Sequence, residues 1–215
     1  MKDKATRRTR DRYNRIAPIY DLMENVLEGL VFRHWRRRLW DQVEGRRILE
    51  VGVGTGKNLP YYPEQSHVTA IDLSDRMLAR ARRRRQRLGI EVDLALMDAQ
   101  HLAFPDEVFD AAVGTFIFCS VPDPIHGLRE IRRVVKPEGR ILLLEHVRVN
   151  KPLIGPLMDL LDPLVVRLMG PHINRRTVEN VKKAGLDVQC VETLAPGALV
   201  KMIFARADSD RRPPE

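Results

Sequence analysis

The sequence predicts an α/β fold, a mostly parallel sheet with helices on its faces and a helical cap at its N-terminus. Three observations carry this. Short apolar, β-branched runs alternate with stretches of helical period from residue 47 to residue 205. Residues 109–116 and 140–147 are nearly continuous apolar runs, as expected of strands buried on both faces of a parallel sheet. The first strand opens into a glycine-rich turn of the kind that leads into a helix. At 215 residues and 44% apolar composition the chain can bury one full core, with room for an accessory element rather than a second domain. The expected division is a cap over 1–42, the α/β domain over 43–207 and a disordered polar tail, DSDRRPPE, over 208–215.

From the N-terminus, residues 22–40 carry Met23, Leu27, Val31, Trp35 and Leu39 at four-residue spacing, which predicts an amphipathic helix. Gly29 marks a kink or a break in it. The far end adds Arg33, Arg36, Arg37 and Arg38 beside two tryptophans. That composition suits either the headgroup boundary of a membrane or a helix packed on the sheet. The next stretch, RILEVGVGTG (47–56), ends a strand on an acidic residue and places Gly52, Gly54 and Gly56 where the backbone must turn and pass close to a ligand. A dinucleotide fingerprint wants a third small residue where Lys57 stands and an aliphatic one in place of Glu50. The Glu50 carboxylate instead suits a ligand bearing an ammonium and a sulfonium, as S-adenosylmethionine does.

Residues 68–72, VTAID, form a second strand whose terminal Asp72 can accept two ribose hydroxyls. A helix near 75–88 follows, then a strand over 91–96 that leads to Asp98 and Ala99. Beyond the strand at 109–116 come a helix near 124–136, a KPEG turn at 136–139, the fifth strand over 140–147, a helix near 174–185 and strands over 187–193 and 199–205. Between the fifth strand and the last helix lies KPLIGPLMDLLDPLVVRLMGPHI (151–173). Its four prolines and two glycines predict short broken helices, and its Leu, Val, Ile and Met content predicts either an oily acceptor surface, a membrane contact or an internal lid.

Four stretches, ILEVGVGTG, TAIDLS, MDAQHLAFPDEVFD and LREIRRVVKPEGRILLLE, together resemble the class I S-adenosylmethionine-dependent methyltransferases. The resemblance implies a Rossmann-like, seven-stranded sheet with an antiparallel edge strand. It implies Glu50, Gly52, Gly54 and Gly56 around the methionine part of the cofactor, Asp72 and Leu73 at the ribose, Asp98 and Ala99 at the adenine, and Thr115 on the cofactor wall. YNRIAPIYDLMENVLEG is similar to the N-terminal entry of bacterial phospholipid N-methyltransferases and quinone C-methyltransferases. LLLEHV and GPHINRRTVENVKKAGL resemble a group of thiol and small-molecule methyltransferases. These likenesses imply a lipophilic acceptor, with Tyr20 over the cofactor. The leading expectation is N-methylation of phosphatidylethanolamine, against C-methylation of a quinone precursor or S-methylation of a hydrophobic thiol. An ammonium acceptor must lose a proton before it attacks, which makes Tyr20, His146 and His172 the catalytic candidates. Arg167, Arg175 and Arg176 are candidates for a lipid phosphate.

The formal charge of +8 fits an anionic membrane surface or a solvated face, the latter for the arginines at 80–87. A nucleic-acid methyltransferase would want stacking aromatics among the charge and an acidic or Asn-Pro-Pro signature after the fourth strand; residues 115–122 read TFIFCSVP. No specific nucleic-acid partner is therefore expected. Cys119 and Cys190 are too few and too distant for a metal site or a disulfide framework. The N-terminus lacks the apolar core of a signal peptide, and no apolar run is long enough to span a bilayer. The expected location is cytoplasmic, peripheral to the inner face of the membrane.

Overall fold

The computed structural model describes residues 2–27, 31–168, 170–195 and 199–207. Seven strands are described: β1 (Arg47–Val51), β2 (His67–Asp72), β3 (Asp93–Leu96), β4 (Phe109–Thr115), β5 (Val135–His146), β6 (Asp187–Thr193) and β7 (Val200–Arg206). They form one sheet in the order β3-β2-β1-β4-β5-β7-β6. β1 to β5 pair in parallel, and β7 runs antiparallel to both β5 and β6, which places the antiparallel strand one position in from the edge. The chain runs outward from β1 through β2 to β3, then returns to start again at β4 on the other side. The β1/β4 boundary is thus the point where the strand order reverses, and the crevice at its carboxyl end is where such sheets bind ligands.

Helices are α1 (Lys2–Leu27), α2 (Arg33–Trp40), α3 (Asp75–Leu88), α4 (Pro124–Val134), α5 (Ile154–Leu168) and α6 (Thr177–Lys183). The pleat divides the apolar side chains of each strand between two cores. Ile48, Val68, Ala70 and Val113 join Leu39 and Trp40 of α2 and Leu78 of α3 on one face. Leu49, Val51 and Ala112 join Leu128 and Ile131 of α4 and Val181 of α6 on the other. None of the described residues of α5 belongs to either core. α3 starts where the Ser74 hydroxyl accepts the Met77 N–H and stops at Gly89, in the left-handed region at φ 65°. Asp123 caps α4 the same way, through the His126 N–H.

Three elements differ from the sequence expectation. The helix anticipated over 22–40 is two helices, and the first begins at Lys2. The Arg-rich start of α1 has no apolar stripe to announce it; polar contacts to the α/β domain hold it, among them Asn14 Nδ2 to Asp75 Oδ1 at 2.7 Å. Gly29 lies outside the described residues. α2 packs on the sheet, with Leu39 and Trp40 fully buried, so Arg33, Arg37 and Arg38 edge a core helix while Arg36 is buried with it. The KPEG turn is a bulge within β5: Phe109 pairs with Val135 and Ala111 with Arg140, leaving 136–139 against Asp110 alone. The segment expected as broken helices forms a single 15-residue helix, α5, with Pro163 inside it. Pro156 falls in its first turn, where backbone N–H groups have no intrahelical acceptor to lose.

Candidate active site

A cavity of about 730 Å³, measured out to its open mouth, lies at the carboxyl ends of β1, β2 and β4, with Thr9, Arg10, Tyr13 and Tyr20 of α1 on its wall. Its floor is the glycine turn after β1. Gly54 holds φ at 56°, and a Cβ built there meets nothing within 4 Å, so this stretch of backbone is open to the cavity. Gly56 does a different job. At φ 81° its missing Cβ would lie 3.2 Å from the Ala81 Cα and 2.5 Å from Leu59 Cδ1, so the bare backbone lets the turn press against α3. Gly56→Ala is expected to destabilise the protein by about 1–3 kcal/mol in urea unfolding, because strain and overpacking add there.

Asp72 faces the cavity from the end of β2. Its Oδ2 accepts the Gly54 N–H at 2.9 Å and its Oδ1 the Ser74 N–H at 2.8 Å, which locks the carboxylate to the glycine turn. Burial pushes its carboxyl up to about 6, partly offset by the bonds from Ser74, Gly54 and Leu73. Leu73, Asp98, Ala99 and Thr115 also line the cavity. Asp98 is oriented by Gln100, whose backbone N–H and side-chain Nε2 reach its Oδ1 at 2.9 and 3.1 Å. Gly52 lines the cavity as well, whereas Glu50 and Gly56 lie outside the lining.

Glu50 is fully buried. Asn58 Nδ2 donates to its Oε1 at 2.5 Å, and the Tyr62 hydroxyl donates to its Oε2. Burial raises its carboxyl to about 7 against those bonds and the nearby Arg36 guanidinium. Arg36 Nη1 in turn reaches Asn58 Oδ1 at 3.1 Å and Thr115 Oγ1 at 2.9 Å. This buried polar network ties α2, the turn after β1 and the end of β4 into one support beneath the site. In the sequence, Arg36 is one arginine in a basic run, and nothing local separates it from its neighbours.

The catalytic candidates are not brought together. Tyr20 lines the cavity, its ring 6.4 Å from that of Tyr13. His146 sits one ring behind the wall, stacked on Phe116 at 4.5 Å and edge-on to Phe32 at 6.0 Å. His172, in the loop after α5, is held by α5 and by the segment after β4: its Nδ1 meets Asp162 Oδ2 at 2.7 Å and its backbone N–H reaches the Cys119 carbonyl at 2.8 Å. Of the three arginines, Arg175 is half-buried and donates to the Val121 carbonyl, on the cavity wall, at 3.0 Å. Arg167 is exposed, and exposed Arg176 pairs with Glu179 at 3.4 Å. Sequence reasoning passed over Tyr13 and Ser120, which bond to each other across the cavity. Tyr13 stands in the YNRIAPIYD stretch, so the signal was present; Ser120 had none. Burial raises the Tyr13 phenol well above its ordinary value, which keeps it protonated.

A methyltransferase-domain family model matches residues 49–143. Phosphatidylethanolamine N-methyltransferase of Cereibacter sphaeroides is 43% identical over 133 residues, 60% of this chain and 64% of that protein. The ubiquinone/menaquinone biosynthesis C-methyltransferase of Bartonella quintana is 31% identical over 188 residues, 80% of this chain and 72% of that protein. The chain belongs to the class I S-adenosylmethionine-dependent methyltransferases. It spans 64% and 72% of the length of these two relatives. A solved S-adenosylmethionine-dependent methyltransferase of Aquifex aeolicus superposes with a TM-score of 0.66 at 22% identity, over 87% of this chain and 96% of that one, a likeness of fold. For a methyltransferase of this class, S-adenosylmethionine is the cofactor, and the cavity residues fit it: a glycine turn free of side chains, a carboxylate at the end of β2 for vicinal hydroxyls and a second at the end of β3 for an exocyclic amine.

Proposed function

We propose that this methyltransferase transfers the methyl group of S-adenosylmethionine to the amino group of phosphatidylethanolamine at an anionic membrane surface, the inner face of the cytoplasmic membrane. The observation that carries the choice of acceptor is the aromatic wall. Tyr13, Tyr20 and Phe116 line the same cavity as the cofactor residues, and aromatic faces attract ammonium groups and their methylated products. A neutral quinone ring gains no such attraction. The 43% identity to a phosphatidylethanolamine N-methyltransferase supports the same acceptor.

In this reading Asp72 and Leu73 hold the ribose, Asp98 and Ala99 face the adenine, and Gly52 and Gly54 make room for the methionine part. Thr115 forms part of the cofactor wall, and Glu50 and Gly56 support the glycine turn from beneath. The ammonium loses its proton to water at the mouth, relayed through the Tyr20 hydroxyl, whose oxygen accepts that proton only as its own O–H is given up to the water. Held in the cavity, S-adenosylmethionine would supply its sulfonium methyl to the freed nitrogen lone pair, with the electrons of the C–S bond passing to sulfur. Little further acid or base work is needed, so orientation and exclusion of water carry most of the rate. His146 positions Phe116, and His172 positions the Cys119–Ser120 turn. Arg175, with Arg167 and Arg176 farther out, supplies cations for the lipid phosphate.

The test is methyl transfer from labelled S-adenosylmethionine to a total lipid extract containing anionic lipid, resolved by thin-layer chromatography. Label is expected in mono-, di- or trimethylated phosphatidylethanolamine. Label confined to neutral quinone-like species, or absent until a hydrophobic thiol is added, would overturn the reading in favour of the C- or S-methyl acceptor.

A further inference from the structure

The outer face of α5 is apolar and uncovered. Leu153, just before the helix, is 86% exposed, Leu160 76%, Leu164 56% and Leu157 52%, with Ile154 and Leu161 beside them. Positions 153, 157, 160 and 164 follow the helical period and form one stripe along α5. A stripe of this kind needs an occupant.

The charges around it identify the occupant. α5 contains two acidic residues, and both are taken up by other groups. Asp159 is gripped by Arg148, with Nε to Oδ1 at 3.0 Å and Nη2 to Oδ2 at 2.8 Å. Asp162 is buried and accepts from His172 and from the Ile173 N–H at 2.8 Å. The exposed charges left at the two ends of the stripe are Lys151 and Arg167, both cationic. A second copy docked on this face would set cation against cation in either sense. Antiparallel pairing places Lys151 beside Arg167, and parallel pairing places each beside its own copy. An anionic lipid surface satisfies both ends and takes up the leucines between them. At 15 residues α5 measures about 22 Å, and among the described residues no helix is long and apolar enough to cross a membrane. α5 would therefore lie in the plane of the interface.

We propose that α5 is the docking element of this protein, seated with its leucine stripe among the acyl chains of an anionic bilayer and with Lys151 and Arg167 at the headgroups. The helix also reaches the active site. Just past its C-terminus the Gly170 carbonyl accepts from Arg12 Nη1 at 3.1 Å, and the His172 N–H reaches the Cys119 carbonyl beside Ser120 of the cavity wall. A lipid entering from beneath α5 would meet the mouth of the cavity without leaving the membrane. This assignment rests on the reading above that the acceptor is a membrane lipid.

The test uses the full chain and flotation with vesicles of phosphatidylethanolamine and phosphatidylglycerol at 3:1, no methyl transfer being measured. Leu157→Ser, Leu160→Ser and Leu164→Ser together should lower vesicle partitioning at least tenfold, while S-adenosylhomocysteine binding by calorimetry stays as in the wild type, showing that the fold is intact. Undiminished flotation of the triple variant, or a wild type that does not float, would overturn the proposal. So would a wild-type dimer in sedimentation that the variant converts to monomer, since the occupant would then be a second copy. Loss of flotation by the triple variant, alongside a wild type that labels no phosphatidylethanolamine in the separate transfer assay above, would retain α5 as the docking face and reject the acceptor instead.

Discussion

Asp72→Asn is expected to weaken S-adenosylmethionine binding by roughly a hundredfold while leaving the fold intact. The carboxylate is already oriented by the Gly54 and Ser74 N–H groups at 2.9 and 2.8 Å, so it can meet vicinal hydroxyls without reorganising. Hydrogen bonds to a charged acceptor are worth about 1.5–3 kcal/mol each, and the amide keeps one acceptor oxygen while losing the charge and the second. The asparagine variant is the milder one, because its amide oxygen keeps one of the two backbone N–H groups that alanine would strand, while its amide nitrogen faces the other. The pH dependence separates this role from a structural one. Burial raises the Asp72 carboxyl to about 6, and hydroxyl donors favour its ionised form, so protons compete with the cofactor. Wild-type affinity should fall about tenfold per pH unit below 6, and the variant's affinity should be flat over that range by calorimetry. A variant that binds within threefold of the wild type would remove Asp72 from the ribose site.

The parts of this site that were legible in the sequence are those whose cause is local. A strand must end and turn over glycine beside a ligand, and Gly52, Gly54, Gly56 and Asp72 announce this through residue type and order alone; the helix expected after the turn is only a short 3-10 turn, Leu59–Tyr61. The strands of the central sheet were legible for the same reason, since burial on both faces leaves a continuous apolar run. α1 was not. Its stability comes from contacts with distant groups, such as Asn14 with Asp75 and Tyr13 with Ser120, the latter 107 positions apart. The Arg36–Asn58–Thr115 network is hidden in the same way, because a buried guanidinium differs from a solvated one only in what folds over it. α5 shows the reverse failure: its prolines read as helix breakers, yet one sits in the first turn, where it costs little.

Glu145→Gln is expected to flatten the pH dependence of stability and to leave the variant more stable than the wild type above pH 7. Glu145, at the end of β5, is fully buried, and its Oε1 accepts the N–H groups of Ile117 and Phe118, each at 2.9 Å. These bonds pin the turn after β4, where Phe116 holds φ at 55°, a left-handed conformation unusual for a bulky residue. Burial pushes the carboxyl from its ordinary 4.5 up to about 8. A folded-state value above the unfolded one means that the folded protein binds the extra proton between these limits. The stability this contributes is complete below about pH 4.5 and is lost as pH rises through 8. At about 1.36 kcal/mol per unit the loss approaches roughly 5 kcal/mol. Glu50 and Asp72, raised to about 7 and 6, act with the same sign. Glutamine keeps the carbonyl acceptor for both N–H groups and cannot ionise. At pH 5 the variant should sit about 1 kcal/mol below the wild type, since its extra N–H donors are buried. Between pH 5 and 8 its stability should decline less steeply, by about 1.4 kcal/mol per unit, in urea unfolding at fixed ionic strength. Parallel curves for the two proteins would mean that Glu145 is ionised in the folded state at neutral pH, and that the turn carrying Phe116 is held by a charge. Converging and crossing curves would mean that a neutral carboxyl holds it, so the aromatic wall of the site keeps its shape across the pH range in which Asp72 must be ionised.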